Sequence, residues 1–292
     1  MKQTVRDIDL KGRRALIRAD FNVPLDASTG TITDDTRIRE GLATIRYCLE
    51  QQARLILLSH LGRPAGKHSE QYSLRPVAKR LGELLGKPVA FGEDCIGPAA
   101  SLAAAAVKAG EALLLENVRF HAEEEKNDPT FAALLLKLGE VYVNDAFGTA
   151  HRAHASTEGI ARHLPAVAGF LMEKEIKYLD EALTNPARPY AAILGGAKVS
   201  DRIGVITRLL EHVNLLLIGG GMSYTFLKAQ GLAIGNSPLE KDKLDLAKEL
   251  MAKAERRKVT FLLPVDHVIT TSLDADSPVK TVPVGQLPDG WE

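Results

Sequence analysis

Four short apolar runs in the first half of this 292-residue chain each end in polar residues that lead to an arginine. Ala15 to Ile17 runs into Arg18-Ala-Asp-Phe-Asn22, and Leu55 to Leu58 into Ser59-His-Leu-Gly-Arg63. Ala112 to Leu115 runs into Glu116-Asn-Val-Arg119, and Val141 to Val143 into Asn144-Asp-Ala-Phe-Gly-Thr-Ala-His-Arg152. A guanidinium is a planar fork of N–H donors, so several gathered in one place make a site for phosphate or carboxylate. A lone surface arginine is usually just solvated, but Arg63, Arg119 and Arg152 stand in loops directly after apolar runs, where polar groups on a rigid scaffold tend to be functional. Arg37 and Arg39 open a helical segment and are weaker candidates singly. His60 and His151 share loops with the arginines.

The elements that must position these groups follow from periodicity. The apolar runs read as strands, and they alternate with segments of helical period, the signature of βαβ units in a parallel sheet. Thr36 to Gln51 puts Ile38, Leu42, Ile45 and Leu49 on one face. Ser73 to Leu85 does the same with Leu74, Val77, Leu81 and Leu84, after a serine suited to capping. Alanine-rich Pro98 to Ala106 reads as helix, and Asn127-Asp-Pro-Thr starts another with proline in its first turn. In an open parallel sheet the ligand lies outside the carboxyl ends of the strands, where all four arginine-bearing segments emerge.

A charged helix, Met172 to Thr184, closed by Asn185-Pro-Ala-Arg-Pro189, predicts a linker at 172–189 between a domain 1–171 and a domain 190–292. Beyond it come strands at Ala191 to Leu194, Leu215 to Ile218 and Thr260 to Leu263, with helices from about Ser200 to His212 and Leu239 to Arg257. Gly195, Gly196 and Ala197, followed by Lys198 and Arg202, lie between strand and helix, so backbone amides and a helix N-terminus are expected to face phosphate oxygens. Gly219, Gly220 and Gly221 follow the next strand. Taken singly, each cluster is a tight turn; their placement at equivalent strand ends raises the functional reading. Neither matches the P-loop or the dinucleotide fingerprint, which sets a dehydrogenase aside.

Composition narrows the partners. Lys plus Arg total 37 against 37 Asp plus Glu, so no net positive field recruits nucleic acid or an anionic membrane, and any anion site is local. Two cysteines are too few for a disulfide framework, and the N-terminal residues carry no apolar signal core, so a cytoplasmic protein is expected. No apolar stretch reaches the roughly 18 residues of a membrane span. No H-E-x-x-H or Cys/His spacing suggests a protein-held metal.

The segments Arg18-Ala-Asp-Phe-Asn-Val-Pro24, Ser59-His-Leu-Gly-Arg-Pro64, Glu116-Asn-Val-Arg-Phe120, the block Val143 to Thr157 and Gly195-Gly-Ala-Lys-Val-Ser-Asp together resemble phosphoglycerate kinase, colinearly and over essentially the whole chain. The resemblance implies an α/β protein of two Rossmann-like three-layer lobes with parallel sheets. It implies reversible phosphoryl transfer from 1,3-bisphosphoglycerate to ADP, giving 3-phosphoglycerate and ATP, with Mg²⁺ carried by the nucleotide and a monomeric enzyme. The implied substrate site comprises Asp20, Phe21, Asn22, Arg37, His60, Leu61, Gly62, Arg63, Arg119 and Arg152. Arg63, Arg119 and Arg152 take the terminal phosphate, and Arg37 faces the transferring group. Gly195, Gly196, Ala197, Lys198, Arg202 and Gly219 to Gly221 fall on the nucleotide site, with Arg37, Lys198 and Arg202 acting on the group in flight.

Two departures from the family pattern stand out. Position 202 is arginine where the pattern has lysine, which keeps the charge but replaces a compact ammonium by a broader fork. The family's C-terminal quarter, with its Trp-Asn-Gly-Pro and triple-glycine-aspartate segments, is not present, so the second lobe is expected to be incomplete and to expose sheet edge and apolar surface. The corresponding alternative is a catalytically weak, poorly soluble fragment that binds 3-phosphoglycerate only.

Overall fold

The computed structural model describes residues 2–26, 28–272, 274 and 276–291, and of residues 180–183 the backbone alone. It divides into two compact units, the first ending at Leu179 and the second beginning at Asp180.

The first unit is built on a six-stranded sheet, every pairing parallel. Its strands are β1 (Arg14–Ala19), β2 (Arg54–Leu58), β3 (Val89–Gly92), β4 (Ala112–Leu115), β5 (Val141–Asp145) and β6 (Ala166–Ala168), in the spatial order β3-β4-β2-β1-β5-β6. Alternation along each strand sorts the side chains between two cores. Ala15, Ile17, Leu55, Leu57, Leu114, Val141 and Val143 pack on one face with α1 (Thr36–Glu50) and α2 (Arg75–Leu85). Leu16, Ile56, Leu58, Leu113, Leu115 and Tyr142 pack on the other with α3 (Gly97–Ala106) and α5 (Pro129–Leu136). The short α4 (Ala122–Glu125) lies between α3 and α5 in sequence. Strands with both faces buried read as continuous apolar runs, which is why four of the six are plain in the sequence.

Helix starts differ in their chemistry. Asp128 caps α5, its Oδ1 accepting from Thr130 and Phe131 N–H at 2.9 Å. Ser73 does not cap α2 from the N-cap position, which Leu74 occupies without a side-chain bond. Its hydroxyl instead donates to Glu116 at 2.7 Å and accepts from Arg75 N–H at 3.2 Å, so a tertiary partner has drawn it one residue out.

Helix α6 (Phe170–Thr184) begins in the first unit against buried Asp145, whose Oδ1 accepts from Leu171 and Met172 N–H at 2.9 and 3.2 Å. Burial holds that carboxyl above the usual range against those hydrogen bonds. A Cβ added at Gly169 would overlap the Asp145 side chain as far in as its Cβ, and those hydrogen bonds hold the carboxylate in place. Gly169→Ala should therefore destabilise the unit by about 1–3 kcal/mol, as overpacking does. A thermal melt following helicity checks this; an unchanged midpoint would mean the start of α6 is slack.

In the second unit, β7 (Ala191–Leu194), β8 (Leu215–Ile218) and β9 (Thr260–Leu262) form a parallel sheet. Leu216 and Ile218 face a core with α7 (Ile203–Leu209), α8 (Met222–Ala229) and α9 (Leu244–Arg256). An antiparallel hairpin of β10 (Asp266–Thr270) and β11 (Val279–Pro283) follows. Ile193 and Leu262, on the edge strands β7 and β9, stand exposed, as do Val265, Val268 and Val279 around the hairpin.

Candidate substrate and nucleotide sites

In the first unit the topology places a crevice where β1 and β5 lie side by side. The chain leaving β1 enters α1 on one face of the sheet, whereas the chain leaving β5 passes to Ala155 and Ile160 on the other. Divergent exits of this kind open a gap at the carboxyl ends of adjacent parallel strands. Asp20 and Arg37 form an ion pair beside that gap. Gly148, from the loop after β5, closes on them so nearly that an added Cβ would lie 2.7 Å from the Asp20 carboxylate and 3.9 Å from Arg37 Nη1.

His60 sits among the arginines. Burial, and then the charges of Arg18, Arg119, Arg152 and Arg37, push its pKa down to about 2. The ring is thus neutral at physiological pH, and Nδ1, 3.1 Å from Arg18 Nη2, must accept from a guanidinium that can only donate. That fixes the proton on Nε2, a donor added to a cationic surround. His60 thus adds a neutral N–H donor to the charges around it.

The sign of its effect on stability follows. The unfolded chain binds a proton at this histidine below about pH 6.5 and the folded chain does not, so the stability that His60 contributes is full above that pH and falls as pH drops. His60→Asn, which keeps an acceptor near Nδ1, should flatten the loss of stability between pH 7 and 5. Urea midpoints at the two pH values test it; parallel slopes in the two proteins would contradict it.

Arg18 makes this arrangement possible, and sequence reading did not single it out as a site residue. Its side chain is wholly buried, donating from Nε to Ser156 Oγ at 2.8 Å and from Nη1 to the Ala19 carbonyl. Ser156 passes the link on, donating from Oγ to Glu124 Oε1 at 2.5 Å and from N to Oε2 at 2.8 Å. Ser156 lies in a π-helical turn, Ala155–Gly159, that presents it inward.

Arg119 is nearly as deep, 4% exposed. Its Nη1 donates to the Gly62 carbonyl at 2.9 Å, while Nε is buried with no aligned acceptor even though Glu125 Oε1 lies 3.2 Å away. Asn22 Oδ1 accepts from Gly62 N–H at 2.8 Å, tying the loop after β2 to that after β1. Arg152 is half-buried beside His151, and Arg63 is exposed. Phe21 and Leu61 lie in the core; Phe21 N–H is bound to Ser59 Oγ and the Leu61 carbonyl to Asn117.

In the second unit the two glycine loops pack on one another. Met222 N–H donates to the Gly196 carbonyl and Gly219 N–H to the Leu194 carbonyl, each at 2.8 Å. Gly220 has φ of 67°, and a Cβ there would meet Gly196 N at 3.0 Å, so glycine is required on both counts. Lys198 and Arg202 are exposed, and Arg202 Nε reaches within 3.9 Å of where a Gly196 Cβ would lie. The expectation that the amides opening this helix face phosphate needs correction. Val199 and Ser200 N–H donate to Glu240 Oε2 at 2.5 and 3.1 Å, and Ser200 Oγ to Oε1 at 2.5 Å. A carboxylate of the chain already occupies the electropositive helix start, while Lys198 and Arg202 stay exposed.

Comparison with known proteins shows the family. Residues 5–292 match the family model described as phosphoglycerate kinase. The phosphoglycerate kinase of Pelotomaculum thermopropionicum is 57% identical over 290 residues, covering 99% of this chain and 73% of that protein. That of Chloroflexus aurantiacus is 58% identical over 292 residues, with the same coverage of each. The solved phosphoglycerate kinase of Coxiella burnetii superimposes with a TM-score of 0.85 at 39% identity, covering 100% of this chain and 73% of that one. The fold, the strand-end arginines and these matches converge: the chain belongs to the phosphoglycerate kinase family.

Proposed function

We propose that the first unit binds 3-phosphoglycerate or 1,3-bisphosphoglycerate at the β1/β5 crevice and that the second binds ADP or ATP at the paired glycine loops. The carrying observation is geometric: buried Arg18 and Arg119, the Asp20–Arg37 pair and His60 stand at the ends of neighbouring strands, with His60 Nδ1 3.1 Å from Arg18 Nη2. Arg119 and Arg152, with Arg63 at the rim, take the terminal phosphate. Asp20 and Asn22 orient the glycerate end. Arg37, held by Asp20, faces the group in transit, and Lys198 and Arg202 meet the nucleotide phosphates. Phosphoryl transfer has a loose transition state with charge spread on equatorial oxygens, so fixed cations and alignment supply the catalysis and no covalent nucleophile is needed.

Mg²⁺ enters on the nucleotide, where it neutralises phosphate charge. Glu240 is engaged by backbone amides and Asp201 is exposed, so no residue of this loop is assigned to hold the ion. Supporting a monomer of the cytoplasm that acts on small molecules, without nucleic acid or membrane partners, are the balanced charge and two buried free cysteines. Among the described residues no helix is long and apolar enough to cross a membrane. We take 1–171 as the substrate lobe, 172–189 as the linker and 190–292 as the nucleotide lobe. The reading of a fragment that only binds 3-phosphoglycerate is not favoured, because the family match runs through the second unit. Calorimetry with 3-phosphoglycerate and with MgADP separately tests both halves: binding of each is expected, and failure of either overturns its half.

A further inference from the structure

Asp94, Cys95 and His121 come from segments distant in sequence, and sequence spacing gave no sign that they meet. The loop after β3 carries the first two and the loop after β4 the third. Because β3 and β4 pair in parallel through Gly92 and Leu115, the two loops leave the sheet side by side. One carboxylate oxygen, the thiol sulfur and one imidazole nitrogen lie within 4.8 Å of one another. His121 Nε2 is 2.7 Å from Asp94 Oδ1, which also accepts from Cys95 N–H at 2.6 Å. The Phe131 ring, 5.2 Å from that of His121 between centroids, supports the imidazole.

We infer that Asp94, Cys95 and His121 form a binding site for a thiophilic divalent cation of the zinc type, on the loops after β3 and β4. Three protein ligands of the S, N and O kind match a four-coordinate zinc site that keeps one position for water. The ligand set discriminates by softness: thiolate and imidazole favour Zn²⁺ or Cd²⁺, whereas Mg²⁺ prefers six oxygens and gains little here. Cys95 is fully buried, so a thiolate there calls for a compensating cation. A divalent ion with one thiolate and one carboxylate is neutral overall, which suits that depth. Cys95 also directly precedes Ile96, the N-cap of α3, whose first turn holds no acidic residue. The positive end of that ten-residue helix favours the anionic ligands. On binding, the Cys95 S–H proton leaves to solvent as the sulfur–metal bond forms, and the His121–Asp94 hydrogen bond is exchanged for two coordination bonds.

Cd²⁺ alone, added to the whole chain at pH 8 in the presence of excess Mg²⁺, is the probe. A thiolate-to-cadmium charge-transfer band in the ultraviolet should saturate at about one ion per chain with release of about one proton. Zn²⁺ should displace it. The band should survive Cys48→Ala, disappear in Cys95→Ser, and require at least roughly tenfold more cadmium in His121→Gln. Should Cys95→Ser fail to fold by circular dichroism, His121→Gln, which leaves the buried thiol intact, decides alone. No band, a band lost with Cys48 instead, or unchanged affinity in His121→Gln overturns the site.

Discussion

Replacing Glu124 with glutamine should cost the first unit about 3–5 kcal/mol, because it leaves the buried Arg18 guanidinium without the carboxylate it reaches through Ser156. At roughly 2–4 °C per kcal/mol for a unit of this size, its melting transition should fall by about 10 °C. Glu124 and Arg18 are both wholly buried and meet through the Ser156 hydroxyl. Glutamine removes the carboxylate charge and, because Glu124 accepts from Ser156 on both oxygens, also one of those two hydrogen bonds, so the loss combines the two. Arg18→Met should be comparably costly alone. The double variant should be clearly less destabilised than the sum, because the two residues act as one unit. Calorimetric melts of the four proteins form the cycle. Additive losses, or a shift below 2 °C for Glu124→Gln, would mean that the pair does not communicate through Ser156.

The second large effect is on affinity. Arg119→Ala should weaken 3-phosphoglycerate binding by about 100-fold, near 3 kcal/mol, in the range for truncating a buried, hydrogen-bonded charge. Arg119→Lys should recover only part, since an ammonium cannot keep both the bond to the Gly62 carbonyl and a forked contact to phosphate. Arg63→Ala should lose under about tenfold, because Arg63 is exposed and its charge is screened by water. Titration calorimetry at fixed ionic strength separates the three. Equal losses at positions 63 and 119 would refute a role graded by burial. The family pattern treats these arginines alike; their differing depth is what ranks them.

What the sequence revealed depended on burial and on chain distance. The strands β1, β2, β4 and β5 are internal to the sheet and read as unbroken apolar runs. β3 and β6 are its edges, half-solvated or only three residues long, and went unread. Helix α8 was hidden behind the glycine cluster, and the β10–β11 hairpin behind exposed valines that give no alternation. The arginines following strands were visible because topology alone places strand ends together. Arg18 was visible in its motif, but its function depends on Ser156, 138 positions away. The capture of Val199 and Ser200 amides by Glu240 was equally hidden, since nothing local announces that a helix start is already filled.

The crevice at β1 and β5 draws on residues from Arg18 to Arg152, one or more from the end of each of four internal strands. No contiguous segment contains it, and closing such long loops is entropically opposed until the sheet has formed. The anion therefore has nothing to hold in a partly folded chain and binds only the finished unit. Mass action then spreads its binding free energy over the whole sheet rather than one loop. If the crevice binds the anion proposed for it, raising that anion's concentration should lower the unfolded fraction of the whole unit, and with it proteolysis.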